Sequence, residues 1–170
     1  MAGLALGLFC TACGAERNGP TKSPSEWIEL ADRYMTTKSW REAGNAYVFA
    51  FRLIDPVPSA LQERALLSFR AGMSFGRAAR HSDPKLGFTF ARAASFWLTH
   101  TLRLQPKMRQ ALYERALLAE TKIDGIENVD HAKRDYKAYL EATEALSDKL
   151  PESERGRVEH AKERLAVLPK

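Results

Sequence analysis

The chain is poor in cysteine, and both of its cysteines lie near the start. Among 170 residues only Cys10 and Cys13 occur, inside the first apolar stretch. The rest of the sequence therefore holds neither a disulfide framework nor a cysteine-based zinc site. Long hydrophobic runs are missing too, since the apolar stretch at residues 2–12 is far shorter than the roughly 20 residues that a helix needs to span a bilayer. With 45% hydrophobic and 28% charged residues, the composition fits one globular domain.

The short apolar stretch matches the hydrophobic region of a secretory signal. Its end, Leu4-Ala5-Leu6-Gly7-Leu8-Phe9 followed by Cys10-Thr11-Ala12-Cys13, resembles the end of a bacterial lipoprotein signal. The resemblance implies that residues 1–13 are a signal peptide and that Cys13 is acylated. Acyl chains on one residue hold a domain at a membrane, because each buried CH₂ contributes about 0.8 kcal/mol. We therefore expect a lipid anchor at the bacterial cell envelope, on the outer membrane if the cell is Gram-negative. An intracellular protein with an apolar tail or a buried first helix is the alternative.

The following segment differs sharply from the apolar stretch. Residues 16–25 are polar and contain Gly19, Pro20 and Pro24, which predicts a flexible tether over residues 14–24. From residue 25 onward the apolar residues recur at three- and four-residue steps, and no sustained alternation typical of a strand occurs. The body, residues 25–170, is therefore predicted to be all-α.

The first two predicted helices form an antiparallel pair. The first begins near an N-cap at Ser23–Ser25, the chain breaks at residues 36–39, and Asp55-Pro56 ends the second helix. The pair resembles the tetratricopeptide repeat through Trp27, Leu30, Ala31, Tyr34, Ala43, Tyr47, Ala50 and Pro56. That resemblance implies an α-solenoid of about three helix pairs with a C-terminal capping helix. Small residues at Ala31 and Ala43 are expected to let the two helices approach closely.

The later pairs are predicted from the same spacing. A second pair covers residues 61–80 and 85–104, with longer helices than the usual repeat and a longer turn around residues 81–87. A third pair covers 108–123 and 129–146, and residues 151–168 form the capping helix.

Patterns that are typical of enzymes and metal sites are weak in this chain. Residues 72–76 read G-x-S-x-G around Ser74, but the pentapeptide lies inside a predicted helix rather than in the strand-to-helix turn that a nucleophile elbow requires. The four histidines are widely separated, and the acidic turn at 124–130 lacks the ligand spacing of a calcium loop. No G-x-G-x-x-G or other phosphate-binding loop occurs. We therefore expect no catalytic residue, no metal site and no cofactor.

Positive charge is concentrated in the middle of the chain. Residues 61–110 contain nine Lys or Arg against two Asp or Glu, so they carry the excess of the net charge of +5. Arg70, Arg77 and Arg80 fall within about 80° of one another on a helix, and Arg92 and Arg103 form a second stripe. The first stripe is interpreted either as a solvated face or as a groove that binds carboxylates.

These features favour a non-catalytic scaffold that binds a protein or peptide partner. Arg70, Arg77 and Arg80 are the candidate contacts for an acidic partner, and an apolar groove around Ile28 and Met35 is the other candidate. The resemblance implies an assembly component of envelope machinery. The alternative function is a soluble intracellular adaptor that binds RNA or an acidic protein through the basic middle segment.

Overall fold

The computed structural model describes residues 22–120, 128–144 and 150–169. The predicted signal peptide at 1–13, the acylation site Cys13 and most of the predicted tether lie outside the described residues. So does most of the acidic turn at 124–130.

Every regular element in these three ranges is helical, as the sequence predicts. The helices are α1 (Pro24–Thr36), α2 (Trp40–Leu53), α3 (Leu61–His81), α4 (Pro84–Leu104), α5 (Arg109–Glu120), α6 (Val129–Glu144) and α7 (Glu152–Val167), with a short 3-10 helix at Pro58–Ala60. None of these helices combines the length and the apolar character that crossing a bilayer requires.

Helix α1 begins and ends through well-defined caps. Ser23 and Glu26 form a capping box, in which the Ser23 amide donates to Glu26 Oε2 at 2.7 Å and the Glu26 amide donates to Ser23 Oγ at 3.3 Å. At the other end the amide of Ser39 donates to the carbonyl of Tyr34, which closes the helix as a Schellman motif does. Lys38 occupies the left-handed position of that motif with φ of 60°. The predicted break at 36–39 is confirmed.

The junction between α3 and α4 corrects a prediction. The sequence suggested a long turn around residues 81–87, but the two helices are separated by Ser82 and Asp83 alone. Asp83 is the N-cap of α4 and accepts from the amides of Lys85 and Leu86, both at 3.1 Å. Pro84 occupies the first helical position, where its missing amide hydrogen costs nothing. These caps let α4 start at once, so the second pair is a tight hairpin of two 21-residue helices.

Consecutive helices pack against each other along the chain, and the α3–α4 contact is the most extensive. Small residues make the closest approaches in the first four helices. Ala31 and Ala43 are fully buried, as expected for residues at a close helix contact. A Cβ on Gly72 would lie 2.8 Å from the Leu98 side chain and 3.1 Å from its backbone nitrogen. Replacement of Gly72 therefore requires α3 and α4 to move apart.

The last three helices pack through tyrosines and ion pairs. The ring centroid of Tyr113 lies 6.0 Å from that of Tyr136 and 5.3 Å from that of Tyr139. Helix α7 buries Ala161 against them and leaves much of its other face exposed. The predicted capping role of residues 151–168 agrees with this arrangement.

Candidate binding surface

The first of the three predicted arginines is bound within the protein. The Arg70 guanidinium lies 3.5 Å from the Asp32 carboxylate of α1 and 5.7 Å from the ring centroid of Tyr47 on α2. The Tyr47 hydroxyl donates to the same carboxylate. Burial and this hydrogen bond raise the pKa of Tyr47 above its ordinary value. Arg70 therefore belongs to a polar contact that joins α1, α2 and α3.

Arg80 also forms an ion pair with a carboxylate of the protein. Its guanidinium lies 3.9 Å from Glu114 on α5, and both side chains are at least half covered by the protein. This pair joins α3 to α5 across the stack. Two members of the predicted stripe therefore face internal acids, which offsets their attraction for an external anion.

Arg77 has a different environment from the two flanking arginines. Its guanidinium carbon lies 5.1 Å from the ring centroid of Trp40, a cation–π contact. Among the described residues no carboxylate approaches it within 4.0 Å. Trp40 in turn stacks on His81, with the ring centroids 6.4 Å apart. Arg77 is thus the member of the stripe whose charge is not neutralised by an ion pair.

The predicted apolar candidates, Ile28 and Met35, are half-buried and pack against the core. The Met35 sulfur lies 3.2 Å from the Ser74 hydroxyl, which also donates to the Arg70 carbonyl at 2.8 Å. The G-x-S-x-G pentapeptide lies within α3, as the sequence predicted, and Ser74 is fully buried. The core covers part of both side chains, and the rest stays accessible to a partner.

The structure brings together a cleft that the sequence did not indicate. Its volume is about 610 Å³, and it lies where the α1–α2 turn and the start of α2 meet the α3–α4 hairpin. We call it the Trp40 cleft; it is lined by Lys38, Ser39, Trp40, Arg41, Glu42, Ala78, His81, Ser82, Leu86 and Phe90. The aromatic rings of Trp40 and Phe90 lie beside Leu86, whose side chain is exposed at 52%.

The charges around this cleft are mainly positive. Lys38 lines it, and Arg77 lies over the Trp40 ring. The acid in the lining, Glu42, is held by Arg41, whose Nε and Nη2 donate to it at 2.9 and 2.5 Å. Burial acts to raise the pKa of Glu42, but the bonds from Arg41, a backbone hydrogen bond and the charge of Arg41 together keep the pKa below its ordinary value. The cleft therefore combines apolar surface with uncompensated cations, which suits an acidic ligand that also carries an apolar group.

The remaining histidines have separate positions. His160 lies 3.1 Å from the Tyr113 hydroxyl, His131 is exposed on α6, and His100 is half-buried on α4. Within the described ranges no group of three or more His, Cys, Asp or Glu residues is arranged to hold a metal ion.

Sequence reasoning missed the cleft because its residues come from three separate segments, 38–42, 78–82 and 86–90. His81 was placed in a long turn around residues 81–87. The sequence Ser82-Asp83-Pro84 carried the missing signal, because an N-cap followed by proline predicts an immediate helix start and brings the beginning of α4 close to Trp40.

Comparison with known proteins adds no assignment. No family model, no curated protein and no solved structure matches the chain significantly.

Proposed function

We propose that this chain is a non-catalytic interaction protein that binds an acidic segment of another protein in the Trp40 cleft. The observation that carries the proposal is the position of Arg77 and Lys38 beside an exposed aromatic and aliphatic surface, with Glu42 already bound by Arg41. An extended peptide with a carboxylate beside an apolar side chain satisfies both parts of that surface.

The chain itself shows how carboxylates dock on this arginine stripe. Asp32 approaches Arg70 from α1, and Glu114 approaches Arg80 from α5. Arg77 lies between these two on α3 and has no internal acid among the described residues. An acidic residue of a partner that reaches Arg77 would form an ion pair with it, as Asp32 does with Arg70 and Glu114 with Arg80.

The proposal also includes the type of solenoid and its location in the cell. Helix pairs that pack in chain order support a solenoid of the tetratricopeptide type, a fold that commonly presents binding surfaces. Acylation at Cys13, expected from the lipoprotein-like signal, places this scaffold at the bacterial cell envelope. A role in the assembly of envelope machinery follows from that combination and is part of the proposal.

Selection from random peptides tests the cleft directly. Dodecapeptides displayed on phage are selected on the full-length chain, and the recovered consensus peptide is synthesised for titration. We expect enrichment of Asp or Glu beside apolar residues. Arg77→Gln should weaken the consensus peptide about tenfold, because it removes a charge-assisted hydrogen bond. Leu86→Asp should weaken it as well, because it places a like charge at the lip of the cleft.

The matched control is Lys137→Gln, which removes an exposed cation from α6. Its affinity for the peptide should equal that of the unaltered chain. Raising the salt concentration should reduce the difference between Arg77→Gln and the unaltered chain, since screening weakens the charge contribution. Peptides without acidic enrichment, or equal affinities for Arg77→Gln and Lys137→Gln, would contradict the proposed cleft.

The expected lipid anchor is tested by labelling with palmitate in a bacterial host. Cys13→Ser should abolish incorporation and release the chain from the membrane fraction. Cys10→Ser is the matched control and should leave both unchanged. Equal labelling of the Cys13→Ser variant and the unaltered chain would rule out acylation at this position.

A further inference from the structure

The outer side of α4 carries exposed aromatic rings and cations along one stripe. Lys85, Phe88, Arg92, Phe96 and Arg103 fall within about 80° of one another at 100° per residue, and we call this set the α4 outer face. All five are exposed, Phe96 at 61% and Phe88 at 36%. Sequence analysis predicted the stripe formed by Arg92 and Arg103 but not the two phenylalanines, Phe88 and Phe96, on the same side of the helix.

The orientation of this face is fixed by the packing of the opposite side. The opposite side of α4 is buried in the core through Ala91, Ala94, Leu98 and Leu102. A rotation of α4 that turned Phe88 and Phe96 inward would therefore expose these four residues. The Phe96 ring meets the Trp97 ring edge-on with centroids 5.3 Å apart. These contacts hold the exposed rings in place.

The cations of the face are available for an external anion. No Asp or Glu occurs from residue 84 to residue 113. Across the described residues, Lys85, Arg92 and Arg103 have no carboxylate within 4.0 Å. The Arg92 guanidinium lies instead over the Phe88 ring, 5.7 Å from its centroid. Its position beside an exposed ring keeps an uncompensated charge next to apolar surface.

We propose that the α4 outer face docks on a membrane surface that contains anionic lipids. Aromatic rings partition into the boundary between headgroups and acyl chains, while Lys and Arg bind the phosphates of the headgroups. The stripe places these groups along about 27 Å of one helix side at 1.5 Å per residue, so a flat surface can reach all of them together. This contact involves none of the residues of the Trp40 cleft and sets the orientation in which the cleft faces a partner.

Vesicle binding tests the proposal with the full-length Cys13→Ser chain, which carries no acyl group. The chain is sedimented with phosphatidylcholine vesicles that contain either no phosphatidylglycerol or about a third of it. We expect stronger binding to the anionic vesicles. Arg92→Gln/Arg103→Gln should reduce it about 30-fold, since each cation near the surface contributes about fivefold. Phe88→Ser/Phe96→Ser should reduce binding to a similar extent.

Matched controls separate this face from the rest of the chain. Leu61→Ser/Leu66→Ser removes two leucines of α3 that are exposed at 43% and 42%. Arg134→Gln/Lys137→Gln removes two exposed cations of α6. Both control pairs should bind the anionic vesicles as the unaltered chain does. Arg77→Gln should also leave vesicle binding unchanged, so failure of the membrane contact and failure of the cleft are distinguishable.

A local probe excludes binding through residues 2–12. Phe96→Cys, made in a chain without Cys10 and Cys13, is labelled with an environment-sensitive fluorophore; its emission should shift to the blue on anionic vesicles. The same label at Leu66→Cys should not respond. Equal responses at the two positions would overturn the proposal. It would also be overturned if single-stranded RNA or polyglutamate, rather than vesicles, bound with the same sensitivity to the α4 variants.

Discussion

Helices α5 to α7 and helix α4 use their arginines in different ways. In α5 to α7 two arginines pair with carboxylates of another helix: Arg115 binds Asp135 of α6 in a bidentate contact at 2.6 and 2.8 Å, and Arg164 of α7 lies 3.1 Å from both oxygens of Glu120 of α5. In α4, Arg92 and Arg103 have no such partner in the described part of the chain, and they point away from the core. The same residue type therefore supplies cohesion in one region and accessible charge in the other.

The distribution of charge along the chain follows this difference between the two regions. Residues 111–170 contain eleven Lys or Arg and thirteen Asp or Glu, which nearly balance, whereas residues 61–110 carry a net charge of +7. Small residues pack α3 against α4, so that interface needs no charged contacts. Tyrosines pack α5, α6 and α7, and polar groups such as Glu154, which accepts from Tyr139 at 2.9 Å, complete that interface. Positive charge left over in the middle of the chain is available to partners.

The largest predicted effect comes from breaking the ion pair between Arg115 of α5 and Asp135 of α6. Asp135 is buried, with 3% of its side chain exposed, and Arg115 neutralises it. Arg115→Ala leaves the carboxylate buried and unpaired, so it should lower the free energy of unfolding by about 3–5 kcal/mol. Urea denaturation monitored by circular dichroism measures the loss.

Arg92→Ala is the matched control in α4. Because Arg92 is exposed and has no ion pair, its replacement should change the free energy of unfolding by about 0.5 kcal/mol or less. Arg115→Met/Asp135→Leu should recover most of the stability, since it removes both charges together. Equal losses for Arg115→Ala and Arg92→Ala would show that the two regions do not differ in this way.

The next effect concerns the interface that is packed by small residues. Gly72→Ala places a Cβ against Leu98, including its backbone, and should lower the free energy of unfolding by about 1–3 kcal/mol. Gly76→Ala, one turn further along α3, meets Ala94 at 3.9 Å, which is an ordinary contact. It should raise stability by up to about 1 kcal/mol, because alanine has the higher helix propensity. Thermal unfolding of both variants decides whether close approach is confined to Gly72.

Helix positions and packing residues were predictable because they follow local rules. The caps at Ser23 and Asp55-Pro56 and the alanines at helix contacts are set by spacing and side-chain size, and the structure agrees with them. The α3–α4 turn was placed wrongly because Asp83 was not recognised as an N-cap. That single error hid the approach of Leu86 and Phe90 to Trp40.

The candidate site was predicted less well for a physical reason. Helical periodicity shows that Arg70, Arg77 and Arg80 share a side of α3, but it does not show which acids approach from α1 and α5. Pairing with Asp32 and Glu114 depends on how distant helices stack, and that arrangement separates Arg77 from the other two. The phenylalanines of the α4 outer face carry no sequence signal either, since exposed and buried aromatics look alike in composition.

A smaller effect tests whether the region of the Trp40 cleft carries backbone strain. Lys38 adopts φ of 60°, a conformation that costs most residues about 1–2 kcal/mol. Lys38→Gly should therefore raise the free energy of unfolding by up to about 1 kcal/mol, after the greater flexibility of the unfolded chain is subtracted. Lys38→Ala removes the same charge without relieving the strain and should not stabilise the chain. Stabilisation by both variants would assign the effect to charge instead.

The smallest effect is a pH dependence that arises from the partial burial of His100 near two arginines. Burial lowers the pKa of His100, and the positive charges of Arg64 and Arg103 lower it further. The unfolded chain, with a histidine pKa of about 6.5, therefore binds a proton before the folded chain does. Stability is complete above about pH 7 and falls as the pH drops through the unfolded and then the folded pKa. His100→Asn should remove this part of the decline, while His131→Asn, at an exposed position on α6, should retain it. Urea denaturation of the three chains between about pH 5 and pH 8 measures the slopes. A decline in His100→Asn as steep as that in the unaltered chain would show that the folded surroundings of His100 do not disfavour its protonated form.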